Sequence, residues 1–480
     1  MNTVQRIARN VAALFTAHFI FAIVSLILSI SIARVLGAAI FGTYTFVLAF
    51  TAVFVVFSDI GYNTLLVREV ARDKSQAGKY LNNILSIRLV LSITILGLIA
   101  IIINVLGYPE DVKNIIYIFG IYTLVVSFSD VFKVTFRAFE KMKYESYITI
   151  LSNVVKVSLG LLILFLGYGL LEISLVFLLS GIFDLLISFL ICEKKFVKPR
   201  MELDIDFWKS TITIALPLGM LTILGLIYVK IDTLMLAMME GVVVVGWYNA
   251  AYNLILGFRP IPHIFMNALF PLMSHYYVSS KDLLRIAYEK SFKYLFILGL
   301  PFAVGITLLA DKIVFLFYGQ QFENSVIALQ ILAWDILLIF SCSPLGSLLV
   351  SIDKQNEMAI IVGTTAFVNV ILNLILIPSF SYVGAAVATI ITETMLFGLY
   401  IYLLSKYLYI LPFRKIVTGP IVASLVMGLF IYVCASVNLI LLVMLAVTLY
   451  FVTLYLTGCF SKEDIDLLRQ VFKMPKCRRG

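Results

Sequence analysis

The sequence predicts an all-α polytopic membrane protein with about fourteen transmembrane helices. These form two six-helix bundles, a parallel internal repeat around a central cavity, followed by two extra C-terminal helices. Three observations predict this. First, apolar side chains make up 62% of the 480 residues and charged ones only 13%, whereas water-soluble domains carry about one quarter charged residues. Second, apolar runs of roughly 20 residues recur along the whole chain, each long enough to cross about 30 Å of hydrocarbon as a helix. Third, the chain repeats itself. A shift of about 204 positions carries Gly37 onto Gly241, Gly42 onto Gly246, Tyr44 onto Tyr248 and Asn63 onto Asn267.

Hydropathy places the spans, in order, at 11–33, 43–60, 84–106, 115–136, 146–166, 170–192, 212–239, 244–270, 292–317, 326–351, 358–377, 383–405, 417–437 and 439–457. The first follows a mostly polar ten-residue stretch and lacks a small-residue cleavage site, so it reads as a retained helix and not a signal peptide. The span at 212–239 is broken near its start by Leu216-Pro217-Leu218-Gly219. The implied organisation is an N-terminal lobe at 1–192, a cytoplasmic connection at 193–210, a C-terminal lobe at 211–405, two additional helices at 406–460, and a tail at 461–480. That tail puts Ile465, Leu468 and Phe472 on one face, the pattern of an amphipathic helix lying along the headgroups. Five cysteines (Cys192, Cys342, Cys434, Cys459, Cys477) are scattered and form neither a disulfide framework nor a metal spacing.

Alternate connections carry the basic residues, among them Arg68, Arg72, Lys74 and Lys79; Lys194, Lys195, Lys198 and Arg200; and Lys281, Arg285 and Lys290. By the positive-inside rule both termini are cytoplasmic in a cell (plasma) membrane. The net charge of +9 follows from this topology and from contact with anionic lipid. It gives no argument for nucleic acid. Past the opening helices the repeat continues at an offset of about 213, with Val155-Lys156-Val157 and Gly160 matching Val368-Asn369-Val370 and Asn373. Six helices are an even number, so both halves enter the membrane from the same side and relate by an axis along the membrane normal.

The segments Ala33-Arg34-Val35-Leu36-Gly37, Phe41-Gly42-Thr43-Tyr44, Ser58-Asp59-Ile60-Gly61-Tyr62 and Leu66-Val67-Arg68-Glu69-Val70-Ala71-Arg72 resemble the polysaccharide transporter branch of the multidrug, oligosaccharidyl-lipid and polysaccharide exporter superfamily. In the second half Lys230-Ile231-Asp232, Gly246-Trp247-Tyr248, Leu269-Phe270-Pro271, Phe317-Tyr318-Gly319 and Val383-Gly384-Ala385-Ala386 agree. The resemblance implies a flippase, likened to those that move O-antigen, that carries a lipid-linked oligosaccharide from the cytoplasmic to the outer leaflet by alternating access. It also implies that the first and seventh helices border a lateral portal. No bond is made or broken in such a step, so no enzyme activity, cofactor or metal is implied.

Such a substrate joins one or two phosphates to a hydrophilic sugar head and a polyprenyl tail, so buried cations are the feature to seek. Each costs about 2.5–3.5 kcal/mol near mid-membrane on insertion scales. The candidates are Lys156, Lys230 and Arg259, furthest from the ends of their spans, with Arg88 and Lys133. Competing readings stand beside each. Asp130, Lys133 and Arg137 share a helix face and can pair internally. Arg88 lies near the cytoplasmic end and can snorkel to the headgroups. Lys156 can pair with Asp184 or Glu393, and Arg259 with His263 can patch a helix break at Pro260 and Pro262. Lys230 and Asp232, two apart, occupy different faces.

Asp59, Asp184, Asp232, Asp335 and Glu393 are candidates for holding a coupling proton or sodium ion, or for pairing with a neighbouring cation. Tyr248, Asn249, Tyr252, Asn253, Asn369 and Asn373 either bind sugar or join helices. Pro217 with Gly219, and Pro301, mark hinges or gates inside long spans. Other classes fit less well. No GxxxxGK[ST] loop exists for an ATP-driven pump. The acidic pairs Asp204/Asp206 and Asp464/Asp466 lie in short amphipathic segments without the catalytic domain a membrane glycosyltransferase needs. A cation-coupled multidrug or metabolite exporter of the same superfamily is the main transport alternative. One chain supplies both halves of the cavity, so a monomer is expected.

Overall fold

A computed structural model describes residues 3–409 and 411–459, with the side chains of 3–21 and of Leu221 excepted. The chain is 89% helix and contains no strand among the described residues, as expected where hydrocarbon offers the backbone no other hydrogen-bond partner. Fifteen helices follow in order: Thr3–Val55 (α1), Tyr62–Arg72 (α2), Ala77–Val105 (α3), Glu110–Ala138 (α4), Met142–Phe165 (α5), Leu170–Lys195 (α6), Ile205–Met239 (α7), Val242–Leu256 (α8), Pro260–Ser279 (α9), Lys281–Leu308 (α10), Ala310–Phe317 (α11), Ser325–Ser351 (α12), Gln355–Tyr407 (α13), Phe413–Val433 (α14) and Leu439–Leu456 (α15). Eleven helical stretches among the described residues are long and apolar enough to cross a membrane.

The breaks have local causes. α1 holds two expected spans joined at Gly37, whose φ of 83° lies in the left-handed region that only glycine enters at little cost. α13 likewise holds two spans joined at Ser381, at φ 52°. The expected span at 244–270 is instead two helices, since α8 ends at Leu256 and α9 starts at Pro260. Pro260 lacks the N–H that would continue the helix and disfavours helical backbone at the residue before it. The expected span at 292–317 is also divided, near Leu309, into α10 and α11. Helix α2 was not anticipated. It is short and charged, with Tyr62, Leu65, Leu66 and Val70 buried on one face and an Arg68–Glu69 pair at 2.7 Å outside. The tail at 461–480, with Asp464, Asp466 and Cys477, lies outside the described residues.

The chain forms two compact units. The first comprises Met1–Pro260, Val314–Ala328 and Ala359–Thr392, and the second comprises Ile261–Ile313, Leu329–Met358 and the chain from Glu393 onward. In the first unit, lipid supplies no hydrophobic drive between helices, so close backbone packing takes its place. A Cβ on Gly42 would lie 1.7 Å from the Val242 carbonyl oxygen, and one on Gly246 would lie 2.1 Å from that of Ala38. Residues 38 and 242 stand 204 apart, as do 42 and 246, so α1 and α8 meet through the same two positions of each. Near the other end of α1, a Cβ on Gly219 would lie 2.6 Å from the Gly61 nitrogen.

The stretch leading into α7 is tied to α3 by side chains. Asn82 donates to Glu202 at 2.8 Å and accepts from the Arg200 N–H at 2.9 Å, while Asn83 accepts from the Asp204 N–H at 3.1 Å. Asp204 then caps α7, accepting from the Phe207 N–H at 2.9 Å. In the second unit α14 and α15 pack with α10 through Met427, Leu442, Ala446 and Leu454. There the Tyr450 hydroxyl donates to the Ile297 carbonyl at 2.7 Å.

Candidate functional site

Within the first unit, α4, α5 and α6 enclose a cavity of about 400 Å³. Its lining follows three helical stripes: Tyr122, Val126, Asp130, Lys133 and Arg137 on α4; Glu145, Thr149, Ser152, Asn153 and Lys156 on α5; Ser180, Gly181 and Asp184 on α6. Steps of three and four residues, with the adjacent pairs Ser152/Asn153 and Ser180/Gly181, put each set on one side of its helix. Asn63 of α2 completes the wall. Gly181 keeps the space open, since a Cβ there would lie 2.9 Å from the Tyr122 ring.

The charges in this wall are arranged in pairs. The Lys133 ammonium lies 2.5 Å from Asp184 and 3.7 Å from Asp130, and both Lys133 and Asp184 are buried. Asp184 also accepts from Ser152 at 3.0 Å. Arg137 pairs with Glu145 of α5. The Lys156 ammonium, 7% exposed, lies 5.2 Å from the centre of the Phe177 ring, a cation–π contact. Asp184 is thus taken by Lys133 and not by Lys156, although it remains within electrostatic range of Lys156. Arg88 departs from the snorkelling expectation, because it is only 1% exposed. The turn after α1 brings Asp59 to 2.7 Å from its guanidinium, Asn63 accepts at 3.3 Å, and the Ser127 carbonyl accepts as well.

A second polar cluster in the same unit joins α7, α8 and α13. Asp232, 2% exposed, accepts from Asn373 at 2.6 Å, Thr389 at 2.7 Å and the Tyr248 hydroxyl at 2.9 Å. Asn373 also donates to Asn369 at 3.0 Å, and its own Oδ1 is buried without a donor. Thr233 donates to Asn249 at 3.2 Å. So Tyr248, Asn249, Asn369 and Asn373 bond to protein groups. Lys230, on the adjacent face of α7, is half-buried, and it repels Arg259. Among the described residues no carboxylate lies at ion-pair distance from Lys230. Arg259 sits in the turn before α9, which starts at Pro260, so the four-residue spacing to the exposed His263 does not place them on one helix face.

The remaining predicted residues are dispersed. Asp335 (0% exposed) and Glu393 (5%) are buried in the second unit. α7 runs unbroken through Pro217, and α10 through Pro301. Reading charges singly missed Asn63, Tyr122, Glu145, Thr149, Ser152, Asn153 and Ser180. For those on α4, α5 and α6, their spacing along otherwise apolar helices was the available signal.

The profile of a family described as "polysaccharide biosynthesis protein" matches residues 7–277, and the MatE profile matches residues 217–375. The "capsular polysaccharide biosynthesis protein CapF" of Staphylococcus aureus is 24% identical over 402 residues, covering 80% of this chain and 96% of that protein. The "probable flippase AglR" of Haloferax volcanii is 26% identical over 347 residues, covering 68% of this chain and 69% of that one. Among solved structures, lipid II flippase MurJ in an inward closed conformation superposes with a TM-score of 0.78 at 14% identity, over 96% of this chain and 100% of that one. At such identity the likeness establishes the fold. With a profile match over more than half of its 480 residues, the chain belongs to the polysaccharide biosynthesis protein family, within the multidrug, oligosaccharidyl-lipid and polysaccharide exporter superfamily.

Proposed function

We propose that this protein is a flippase for a lipid-linked oligosaccharide, a glycan precursor on a polyprenyl phosphate or diphosphate, and that it acts by alternating access as a transporter and not as an enzyme. One observation carries the reading. Lys230 and Arg259 lie close enough to repel each other inside the membrane-spanning part of the chain, and Lys230 has no carboxylate at ion-pair distance among the described residues. A cation in low dielectric that has no carboxylate at ion-pair distance and feels a second cation favours an anion. The charged cavity of α4, α5 and α6 and the names of the relatives CapF and AglR support the same reading.

Lys230 and Arg259 hold the phosphate in this scheme, while Lys156, Lys133 and Arg88 shape the polar route. Asp232 takes the coupling cation, sodium or proton, with Asn373 and Thr389 as neutral oxygen-bearing neighbours and the undonated Asn373 Oδ1 as a further oxygen. Asp59 and Asp184 pair structurally, and Asp335 and Glu393 remain secondary ion candidates. Pro217 with Gly219, and Pro301, provide bending points. The reciprocal contact of Gly42 and Gly246 supports the two repeated lobes, 1–192 and 211–405. Dividing the two bent spans at Gly37 and Ser381 among the eleven candidate spans, and counting α8 with α9 as one more, supports the reading of fourteen helices. The protein works as a monomer in the plasma membrane with both termini cytoplasmic.

The test is thermal stabilisation of the purified chain in detergent by a short polyprenyl diphosphate sugar against a cationic dye. A ligand at 100 times its Kd stabilises by about 2.7 kcal/mol. The sugar lipid should raise the melting temperature of wild type but not that of Lys230→Glu or Arg259→Glu, with the unliganded melting temperatures preserved. Stabilisation by the dye alone overturns the reading in favour of the multidrug exporter, for which the MatE match is the supporting observation.

A further inference from the structure

The cavity of α4, α5 and α6 has a composition that a phosphate site would not need. Its lining sets Lys133, Arg137 and Lys156 against Asp130, Glu145 and Asp184, three cations and three carboxylates among the described residues. Two of the cations sit on carboxylates, Lys133 on Asp184 at 2.5 Å and Arg137 on Glu145. Around these pairs stand Asn63, Tyr122, Thr149, Ser152, Asn153 and Ser180, whose amides and hydroxyls both donate and accept. A volume of about 400 Å³ falls in the range of small-molecule sites.

We infer that this cavity is the sugar subsite and that it selects an uncharged sugar over a uronic acid, with the Asp130 carboxylate as the residue that enforces the choice. The inference rests on the flippase reading above and divides the substrate in two, the phosphate at Lys230 and Arg259 and the sugar here. An uncharged ring uses the mixed donors and acceptors and leaves every ion pair intact. A uronic acid adds one negative charge to a lining that already holds as many carboxylates as cations. It must either stay unpaired in low dielectric or draw on a cation the carboxylates already use, Lys133 and Arg137 in ion pairs and Lys156 within electrostatic range of Asp184. Asp130 sharpens the rejection. Its side chain is 48% exposed and lies 3.7 Å from the Lys133 ammonium, and it lines the cavity, so an acidic sugar must compete with it for that cation. Specificity of this kind comes from the repulsive group as much as from the attractive ones.

The test compares three short-chain polyprenyl diphosphates on the purified full chain in detergent: one bearing a single N-acetylhexosamine, one bearing a single hexuronic acid, and one without sugar. The neutral-sugar lipid should bind at least about tenfold more tightly than the uronic lipid, a difference of about 1.4 kcal/mol, and more tightly than the sugarless lipid. Asp130→Asn should narrow the gap by tightening the uronic lipid relative to the neutral one. Equal or tighter binding of the uronic lipid by wild type overturns the inference and leaves the flippase reading standing, as does equal binding of all three lipids. Binding of none of them overturns the flippase reading and this inference with it. Should Asp130→Asn fail to fold, the wild-type ratios alone decide.

Discussion

Asp184 and Asp232 are both buried carboxylates on membrane-spanning helices, and the chain holds them in opposite ways. Asp184 takes a full ion pair from Lys133 at 2.5 Å and a hydroxyl from Ser152. Asp232 is held by an amide, a threonine hydroxyl and a tyrosine hydroxyl, with no cation at ion-pair distance among the described residues. The nearest basic residue in sequence, Lys230, makes no ion pair with it and is in electrostatic range of Arg259. A carboxylate neutralised by a lysine has little use for a further cation. One held by neutral donors keeps its charge available to a proton or metal ion. On the proposed function, the difference separates a wall of the site from the place where a coupling ion would arrive and leave.

The largest expected effect breaks the wall. Lys133→Ala leaves Asp184 charged and buried, and losing one partner of a buried pair costs about 3–5 kcal/mol. The melting temperature of the variant should fall sharply, and Lys133→Met combined with Asp184→Leu should restore most of it, because replacing both charges with apolar groups removes the orphan. Should the double variant melt as low as the single one, the pair is more than structural and the contrast with Asp232 weakens.

A smaller structural effect and a larger functional one are expected at Asp232. Asp232→Asn keeps an acceptor for Thr389 and Tyr248 but sets two amides against each other at Asn373, at a cost of about 1–3 kcal/mol for an unsatisfied group. Coupling should vanish altogether. In vesicles holding the purified protein, wild-type translocation of a fluorescent sugar lipid should respond to an imposed sodium or proton gradient, and Asp232→Asn should not. A response that survives the substitution places the coupling ion elsewhere, with Asp335 and Glu393 of the second unit next in order.

How much of this could be read in the sequence follows from the same contrast. Hydropathy exposes the spans because each must be apolar along most of its length, and glycine spacing exposes the repeat because Gly42 and Gly246 admit no side chain where α1 meets α8. The buried charges were legible as well, since any lysine or aspartate inside an apolar run stands out. Their partners were not. Asp184 is 51 positions from Lys133 and Asn373 is 141 from Asp232, and spacing along one helix says nothing about another. Arg88 looked close enough to the cytoplasmic end to reach the headgroups. Only the turn that brings Asp59 beneath it explains why it stays inside. The breaks at Leu309 and at Gly257 to Arg259 were invisible for a related reason, because an interrupted apolar run has the same hydropathy as a continuous one.

The smallest effect on stability is expected at Lys230, and there the contrast with Lys133 is sharpest. Lys133 is compensated, so removing it orphans an acid; Lys230 has no carboxylate at ion-pair distance among the described residues and feels the like charge of Arg259, so removing it relieves a repulsion. Lys230→Gln should leave the melting temperature of the unliganded protein unchanged or slightly raised, by about 0.5 kcal/mol or less as for like-charged helical neighbours. The same substitution should weaken binding of a polyprenyl diphosphate by about tenfold or more, since a hydrogen bond to a charged group contributes about 1.5–3 kcal/mol. Opposite signs for stability and affinity are what a residue kept for its ligand produces, whereas a residue kept for packing loses both together. A Lys230→Gln protein that melts markedly lower and binds the lipid as wild type does would move Lys230 into the structural class and leave Arg259 alone as the anion site.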